Sequence, residues 1–161
     1  MVTKTIQNDS FEEFNSEEEL STDDVELLTE ARKACETSYS PYSNFQVGAA
    51  VRLSNGTIIR GSNQENAAYP SGLCAERVAL FHIGANYKGE SIKSIAVAAK
   101  RAEQDFFLPV TPCGSCRQVL LEFEQKQENP IEFIMRSGEN SWIKTNSCKV
   151  LLPFSFDKNS L

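Results

Sequence analysis

Two short stretches, Cys74-Ala75-Glu76-Arg77 and Pro112-Cys113-Gly114-Ser115-Cys116, hold the residues whose types and spacing could do chemistry. Three thiolates can fill three corners of a tetrahedral zinc ion and leave the fourth to water. That open corner separates a catalytic zinc site from a structural one, which four protein ligands close. Cys113 and Cys116 are three apart, so on the first turn of a helix their sulfurs face the same way. A helix N-terminus also favours thiolate over thiol, because its free N–H groups and dipole attract negative charge. Arg77 follows Cys74 by three residues and, on a helix, projects over the same face, within reach of a ligand sulfur. Three thiolates leave zinc with net negative charge and poor Lewis acidity. Arg77 and two helix N-termini would draw charge off the sulfurs and bring the bound water's pKa down toward about 7. Glu76 lies two residues from Cys74, and regular helix geometry sends i and i+2 to different sides. It must therefore reach the same centre from an irregular first turn.

The 161 residues, 40 % hydrophobic and 24 % charged, suit one globular domain with a core of its own. No apolar run approaches the ~20 residues of a membrane span, and Met1 to Leu20 is acidic with no apolar h-region, so a secretory signal is not expected. A cytoplasmic protein with no membrane contact is the expectation. The net charge of −6 is unevenly placed: residues 1–26 hold nine acidic groups and one lysine, a balance of −8, leaving the other 135 residues at +2. Neither part offers the clustered basic face of a nucleic-acid binder, and a small soluble substrate fits better. Five cysteines is an odd number for a disulfide scaffold. Cys35 and Cys148, outside the pattern, read as buried free thiols.

The elements that must position these residues follow in order. Residues 1–20 read as a disordered or loosely attached acidic extension, and the domain runs from 21 to 161. Ser21-Thr22-Asp23-Asp24 opens a helix with a cap and carboxylates; Leu28, Ala31 and Cys35 form its buried stripe, and Ser40-Pro41 ends it. Phe45–Leu53, Asn55-Gly56 and Thr57–Gly61 form a β-hairpin. A polar loop from Asn63 to Gly72 leads into a helix from Cys74 to about Asn86. Ile92–Ala99 is a strand with an unbroken apolar centre. A third helix spans Cys113 to about Gln125, followed by strands Ile131–Met135 and Trp142–Thr145 and a short helical turn in Ser147–Leu152. This order predicts an α/β fold, a three-layer α/β/α sandwich with a mixed five-stranded sheet, its cysteine helices beginning where open α/β sheets keep their sites.

The pattern C-x-E…P-C-x-x-C is the signature of zinc-dependent nucleobase deaminases. The chain further resembles the small, one-domain cytidine deaminases from about Ser40 to Phe156. The resemblance is carried by Pro41-Tyr42-Ser43, Phe45-Gln46-Val47-Gly48-Ala49, Asn63-Gln64-Glu65-Asn66-Ala67-Ala68-Tyr69, Cys74-Ala75-Glu76-Arg77, Pro112-Cys113-Gly114-Ser115-Cys116-Arg117-Gln118 and Leu151-Leu152-Pro153. It implies that Cys74, Cys113 and Cys116 bind one zinc ion per subunit, that Glu76 is the general acid/base, and that Arg77 supports the thiolates. It further implies that Asn63 and Glu65 hold the ribose 3′-hydroxyl, that Phe45 packs on the pyrimidine, and that the carbonyls of Ala67 and Thr111 recognise the base. The family's small members are homotetramers, so Tyr69 and Phe156 would reach into neighbouring sites. The implied reaction is hydrolytic deamination of cytidine and 2′-deoxycytidine in pyrimidine salvage. An amide and a carboxylate suit sugar hydroxyls, and an aromatic face suits a flat base.

Other readings of the cysteines stand beside this one. Pro-Cys-Gly-Ser-Cys resembles a redox C-x-x-C, which leaves Cys74-Ala75-Glu76 without a role. A structural zinc site closed by Cys148 or Cys35 would make the chain a binding module. Nucleic-acid-acting deaminases carry His in the first ligand position, whereas His82, the lone histidine, lies eight residues past Cys74 and reads as a helix-surface residue. A blasticidin-type deaminase would not be expected to carry Arg77 or the Asn63…Glu65 pair.

Overall fold

Ser21 accepts a hydrogen bond from the Asp24 backbone N–H at 3.2 Å and starts α1, Thr22–Ala34. The computed structural model describes residues 10–161. Helix α1 stops earlier than Ser40-Pro41: a 3-10 turn, Cys35–Thr37, tightens its end. Strands β2 (Phe45–Leu53) and β3 (Ile58–Ser62) form the hairpin. Its turn places Gly56 at φ 88°, while the Asn55 side chain accepts from the Thr57 N–H at 2.9 Å. Then follow α2 (Ala75–Asn86), β4 (Ile92–Arg101), α3 (Gly114–Gln127), β5 (Glu132–Arg136) and β6 (Trp142–Thr145), with a 3-10 turn at Cys148–Leu151. No helix among the described residues is long and apolar enough to cross a membrane.

The sheet is mixed. Among the strands of the described residues only β4 and β5 pair in parallel, joined by the α3 crossover; the other strand pairs are antiparallel. Helix α1 covers one face with Leu27, Leu28 and Ala31, while α2 and α3 cover the other with Ala75, Ala79, Leu80, Ile83 and Leu120. The expected three layers are therefore present. Two glycines let the helices approach closely. A Cβ on Gly48 would lie 2.1 Å from the Ala31 carbonyl oxygen, and one on Gly61 2.5 Å from that of Ala75.

Among the described residues the sheet has six strands rather than five; with β1 at Phe11–Phe14, their order is β1-β6-β5-β4-β2-β3. The extra one, β1 (Phe11–Phe14), falls in the stretch expected to be a disordered extension and pairs antiparallel with β6. Its acidic composition concealed two apolar anchors. Leu20 is buried in the core beneath α1, where Phe14 packs beside Trp142. The Glu17 carboxylate meets the Arg32 guanidinium through both nitrogens, one at 2.8 Å. Ordering of residues 11–20 thus rests on apolar burial plus a forked ion pair. Residues 1–9 of the expected extension lie outside the described residues.

Strand directions decide where chemistry can happen. Phe45, at the start of β2, is opposite Arg101 at the end of β4, and Gly48 is opposite Ser62 at the end of β3. The chain leaves β3 and β4 at one end of the sheet, and those exits lead to the first turns of α2 and α3.

Candidate active site

Cys74 and Cys113 are the N-cap residues of α2 and α3, each with extended backbone (φ −72°, ψ 155° and φ −67°, ψ 164°). The helical spacing expected of Cys113 and Cys116 is thus realised between an N-cap and the third residue of the helix. An N-cap side chain folds back over that position. Their sulfurs are 3.5 Å apart, those of Cys74 and Cys113 3.7 Å, and all three lie within 4.8 Å of one another. A tetrahedral zinc ion with bonds of about 2.3 Å sets sulfur pairs about 3.8 Å apart. The trio fits that ion. Among the described residues it is the one such cluster.

The electrostatics favour thiolate at Cys74. The Arg77 Nη2 donates to the Cys74 sulfur at 3.5 Å, an N3-to-N-cap contact across the first turn of α2. Hydrogen bonds from Cys116 and then Arg77 bring the Cys74 thiol down to about 5, while the same Cys116–Cys74 hydrogen bond, together with burial, pushes Cys116 up. Glu76, only 4 % exposed, stands beside them. Burial raises its carboxyl pKa above the usual range, and the neighbouring Cys74 charge adds to the effect. The irregular first turn expected for Glu76 is the extended N-cap, which turns the Cys74 side chain back over the helix end. A buried carboxyl with a raised pKa beside a metal trio is suited to taking and returning protons.

Cys35 and Cys148 stand apart from the trio. Cys35 is buried against the carbonyls of Ala31 and Ala98, and burial pushes its thiol up to about 11. Cys148 is buried on the Ile131 carbonyl, and desolvation raises it as well. Neither supplies a fourth sulfur, so the closed structural site is not formed. His82 is exposed on α2.

A cavity of about 640 Å³ opens over the trio. Phe45, Asn63, Glu65, Tyr69 and Thr111 line it together with Cys74, Glu76, Arg77 and Cys113, while Cys116 is fully buried beneath. Two expected residues do not line this chain's cavity. Ala67 is exposed on the preceding loop, and Phe156 is 60 % exposed with its carbonyl accepting from Gln118 Nε2 at 2.9 Å.

Asn63 bridges the strand ends. Its Oδ1 accepts from the Val47 N–H at 2.8 Å and from the Ser38 hydroxyl, while its Nδ2 donates to the Phe45 carbonyl at 2.9 Å. Glu65 accepts the Tyr42 and Ser43 backbone N–H groups at 2.9 and 3.3 Å on one oxygen and the Ser43 hydroxyl on the other. The hydroxyl of Ser43, then the Tyr42 N–H, hold that carboxyl below its usual range.

Tyr42, Ser43, Val47 and Val110 also line the cavity. Sequence reading assigned them no role, although Pro41-Tyr42-Ser43 was visible as a motif. Arg117 was likewise without a role. Its Nε donates to the Pro112 carbonyl at 2.8 Å and its Nη1 to that of Leu151 at 3.3 Å, tying the ligand loop to the C-terminal turn.

Residues 21–128 match the family model described as the cytidine and deoxycytidylate deaminase zinc-binding region. A cytidine deaminase from Sporosarcina psychrophila is 42 % identical over 139 residues, 86 % of this chain and 95 % of that protein. One from Halalkalibacterium halodurans is 48 % identical over 96 residues, 60 % of this chain and 68 % of that one. Among solved structures, a cytidine deaminase from Burkholderia pseudomallei aligns with a TM-score of 0.66 at 37 % identity, covering 81 % of this chain and 97 % of that chain.

Proposed function

Since the chain belongs to the cytidine deaminase family and is an enzyme of that kind, we propose that it converts cytidine and 2′-deoxycytidine to their uracil counterparts in a zinc-dependent hydrolysis that serves pyrimidine salvage. One arrangement supports this reading above all: three sulfurs 3.5–3.7 Å apart along the trio, with the buried Glu76 carboxyl beside them on the wall of a nucleoside-sized cavity.

Cys74, Cys113 and Cys116 would hold zinc, which when bound supplies the Lewis acidity that makes water a nucleophile at neutral pH. Glu76 takes a proton from the attacking water and gives it to N3 of the pyrimidine as oxygen bonds to C4. It then moves the second water proton to the exocyclic amino group. The C4–N bond breaks, ammonia leaves and the uracil carbonyl remains. Arg77 stays cationic and neutralises part of the thiolate charge. Phe45 lies against the base, the Thr111 carbonyl accepts from it, and Asn63 and Glu65 take the ribose 3′-hydroxyl. Ala67, exposed and outside this cavity, would offer its carbonyl only if its loop moved. Tyr69 (77 % exposed) and Phe156 have the exposure that a homotetramer with shared sites would use.

Purified protein incubated with cytidine and with 2′-deoxycytidine, followed by ultraviolet absorbance, tests the proposal. Turnover of both is expected, with Glu76→Gln retaining zinc but falling by at least about 10²–10⁴-fold. Normal turnover by Glu76→Gln would remove it from the mechanism. A zinc-loaded wild type inactive on both nucleosides would overturn the substrate assignment.

A further inference from the structure

The Pro41-Tyr42-Ser43 motif stands at the cavity wall with no role in the reaction, yet its hydrogen bonds converge on one residue that has a role. Ser43 and Tyr42 fill three of the roughly four lone-pair positions of the Glu65 carboxylate: two backbone N–H groups on Oε2 and the Ser43 hydroxyl on Oε1. The Ser43 oxygen in turn accepts the Phe45 backbone N–H at 3.1 Å. A carboxylate is acceptor-only, so the hydroxyl proton points to Glu65, and the relay runs Phe45 N–H to Ser43 O–H to Glu65. Asn44, at φ 53°, makes the left-handed turn that lets Ser43 face back toward Glu65 while the chain enters β2.

Glu65 keeps one acceptor position, on Oε1. Asn63, with both Oδ1 positions and one N–H engaged, keeps one donor. A single hydroxyl, which donates once and accepts, satisfies both; a vicinal pair would leave one hydroxyl unmatched.

We infer that Ser43 is a positioning residue: its hydroxyl orients the Glu65 carboxylate so that the remaining acceptor on Oε1 meets one sugar hydroxyl, and it locks that geometry to the backbone of Phe45. The inference rests on the ribose 3′-hydroxyl reading of Glu65 proposed above.

Binding measured in a Glu76→Gln background, which needs no turnover, keeps the test independent of the chemistry. Calorimetric Kd values for cytidine, 2′-deoxycytidine and 3′-deoxycytidine are compared with and without Ser43→Ala. For cytidine and 2′-deoxycytidine, Ser43→Ala is expected to weaken binding by about tenfold, the lower end for a bond to a charged acceptor because the two backbone N–H groups remain. Ser43→Thr, which keeps the hydroxyl, restores most of it. For 3′-deoxycytidine, which cannot use the oriented oxygen, Ser43→Ala changes nothing. An equal loss on all three nucleosides would mean a merely structural serine and overturn the proposal, as would no loss on cytidine. If the protein with Ser43 intact binds 3′-deoxycytidine as well as cytidine, the Glu65 reading itself falls and takes the proposal with it. Absence of turnover by the wild type, with these binding differences present, would refute only the deamination.

Discussion

Replacing Glu124 with alanine should destabilise the protein more than any other single change to a polar side chain in α3. Glu124 is 4 % exposed and accepts three hydrogen bonds: from the Ile131 N–H at 2.7 Å, the Cys148 N–H at 2.8 Å and the Ser147 hydroxyl at 2.7 Å. Those donors belong to the entry of β5 and to the C-terminal turn, so one carboxylate joins three segments. Alanine strands two backbone N–H groups that cannot rotate away, and each buried donor left unpaired costs about 1–3 kcal/mol. A polar cavity lined by Glu124 and Ser147 admits water to part of this site, which favours the lower half of the summed range, about 2–4 kcal/mol. Against a typical stability of about 5–15 kcal/mol, that is a large fraction. Equilibrium urea unfolding of wild type, Glu124→Ala and Glu124→Gln would measure it. Glutamine keeps the size and one acceptor oxygen but turns an NH2 toward a donor, so it should lose about half as much. Because α3 begins with Cys113 and Cys116, Glu124→Ala should also give up zinc more readily to a chelator. A Glu124→Ala protein within about 1 kcal/mol of wild type would refute the reasoning, since it would mean that water or backbone movement satisfies all three donors.

Three further outcomes can be checked directly. Thiol reagents at pH 8 should find Cys74 and Cys113 first after zinc is chelated from the folded protein, then buried Cys116, whereas Cys35 and Cys148 should react only after denaturation; early labelling of Cys35 would contradict its burial and its thiol pushed up to about 11. Burial alone would lower the Lys144 pKa, but its hydrogen bonds to Asp24 and Glu132 outweigh burial and raise it. The stabilisation is thus fully present below the unfolded lysine value of about 10.4 and is lost as pH rises through the higher folded value. The stability gap between wild type and Lys144→Met should hold from neutral pH to about 10 and close above it in denaturant titrations; a gap that closed on acidification below neutrality would contradict the sign. Gly48→Val should lower the melting temperature sharply, because even its first carbon would lie 2.1 Å from the Ala31 carbonyl and 2.7 Å from the Cys35 nitrogen, forcing α1 off the sheet; an unchanged melting temperature would show that α1 can shift without loss.

Much of the site was legible because its signals are local. Cys113 and Cys116 share one helical turn, Cys74 and Arg77 another, and each pair meets through N-cap geometry that a few consecutive residues dictate. The Ser21 cap, the Asn55-Gly56 turn and the apolar run of β4 are local in the same sense, so element order and three layers followed from them. The misreading of residues 11–20 has the opposite cause. Five acidic side chains in and just after β1 dominate its composition, and the partners that order it, Trp142, Arg32 and the β6 backbone, come from elsewhere in the chain. Nothing adjacent to Glu124 in the sequence marks it as buried, for its donors arrive from the entry of β5 and beyond.

The sequence by itself determined which atoms could do chemistry: three sulfurs, one proton-carrying carboxyl, an arginine to balance charge, and a glutamate in a recognisable run. Tertiary structure decided that they meet. Cys74 and Cys113 are 39 residues apart yet 3.7 Å from sulfur to sulfur, and Ser43 reaches Glu65 across 22 residues. These distances depend on antiparallel registers that bring the start of β2 and the ends of β3 and β4 to one end of the sheet, and on glycines that let helices sit close on the sheet. Local preference names the residues; closing long loops onto one point requires the burial energy of the whole core.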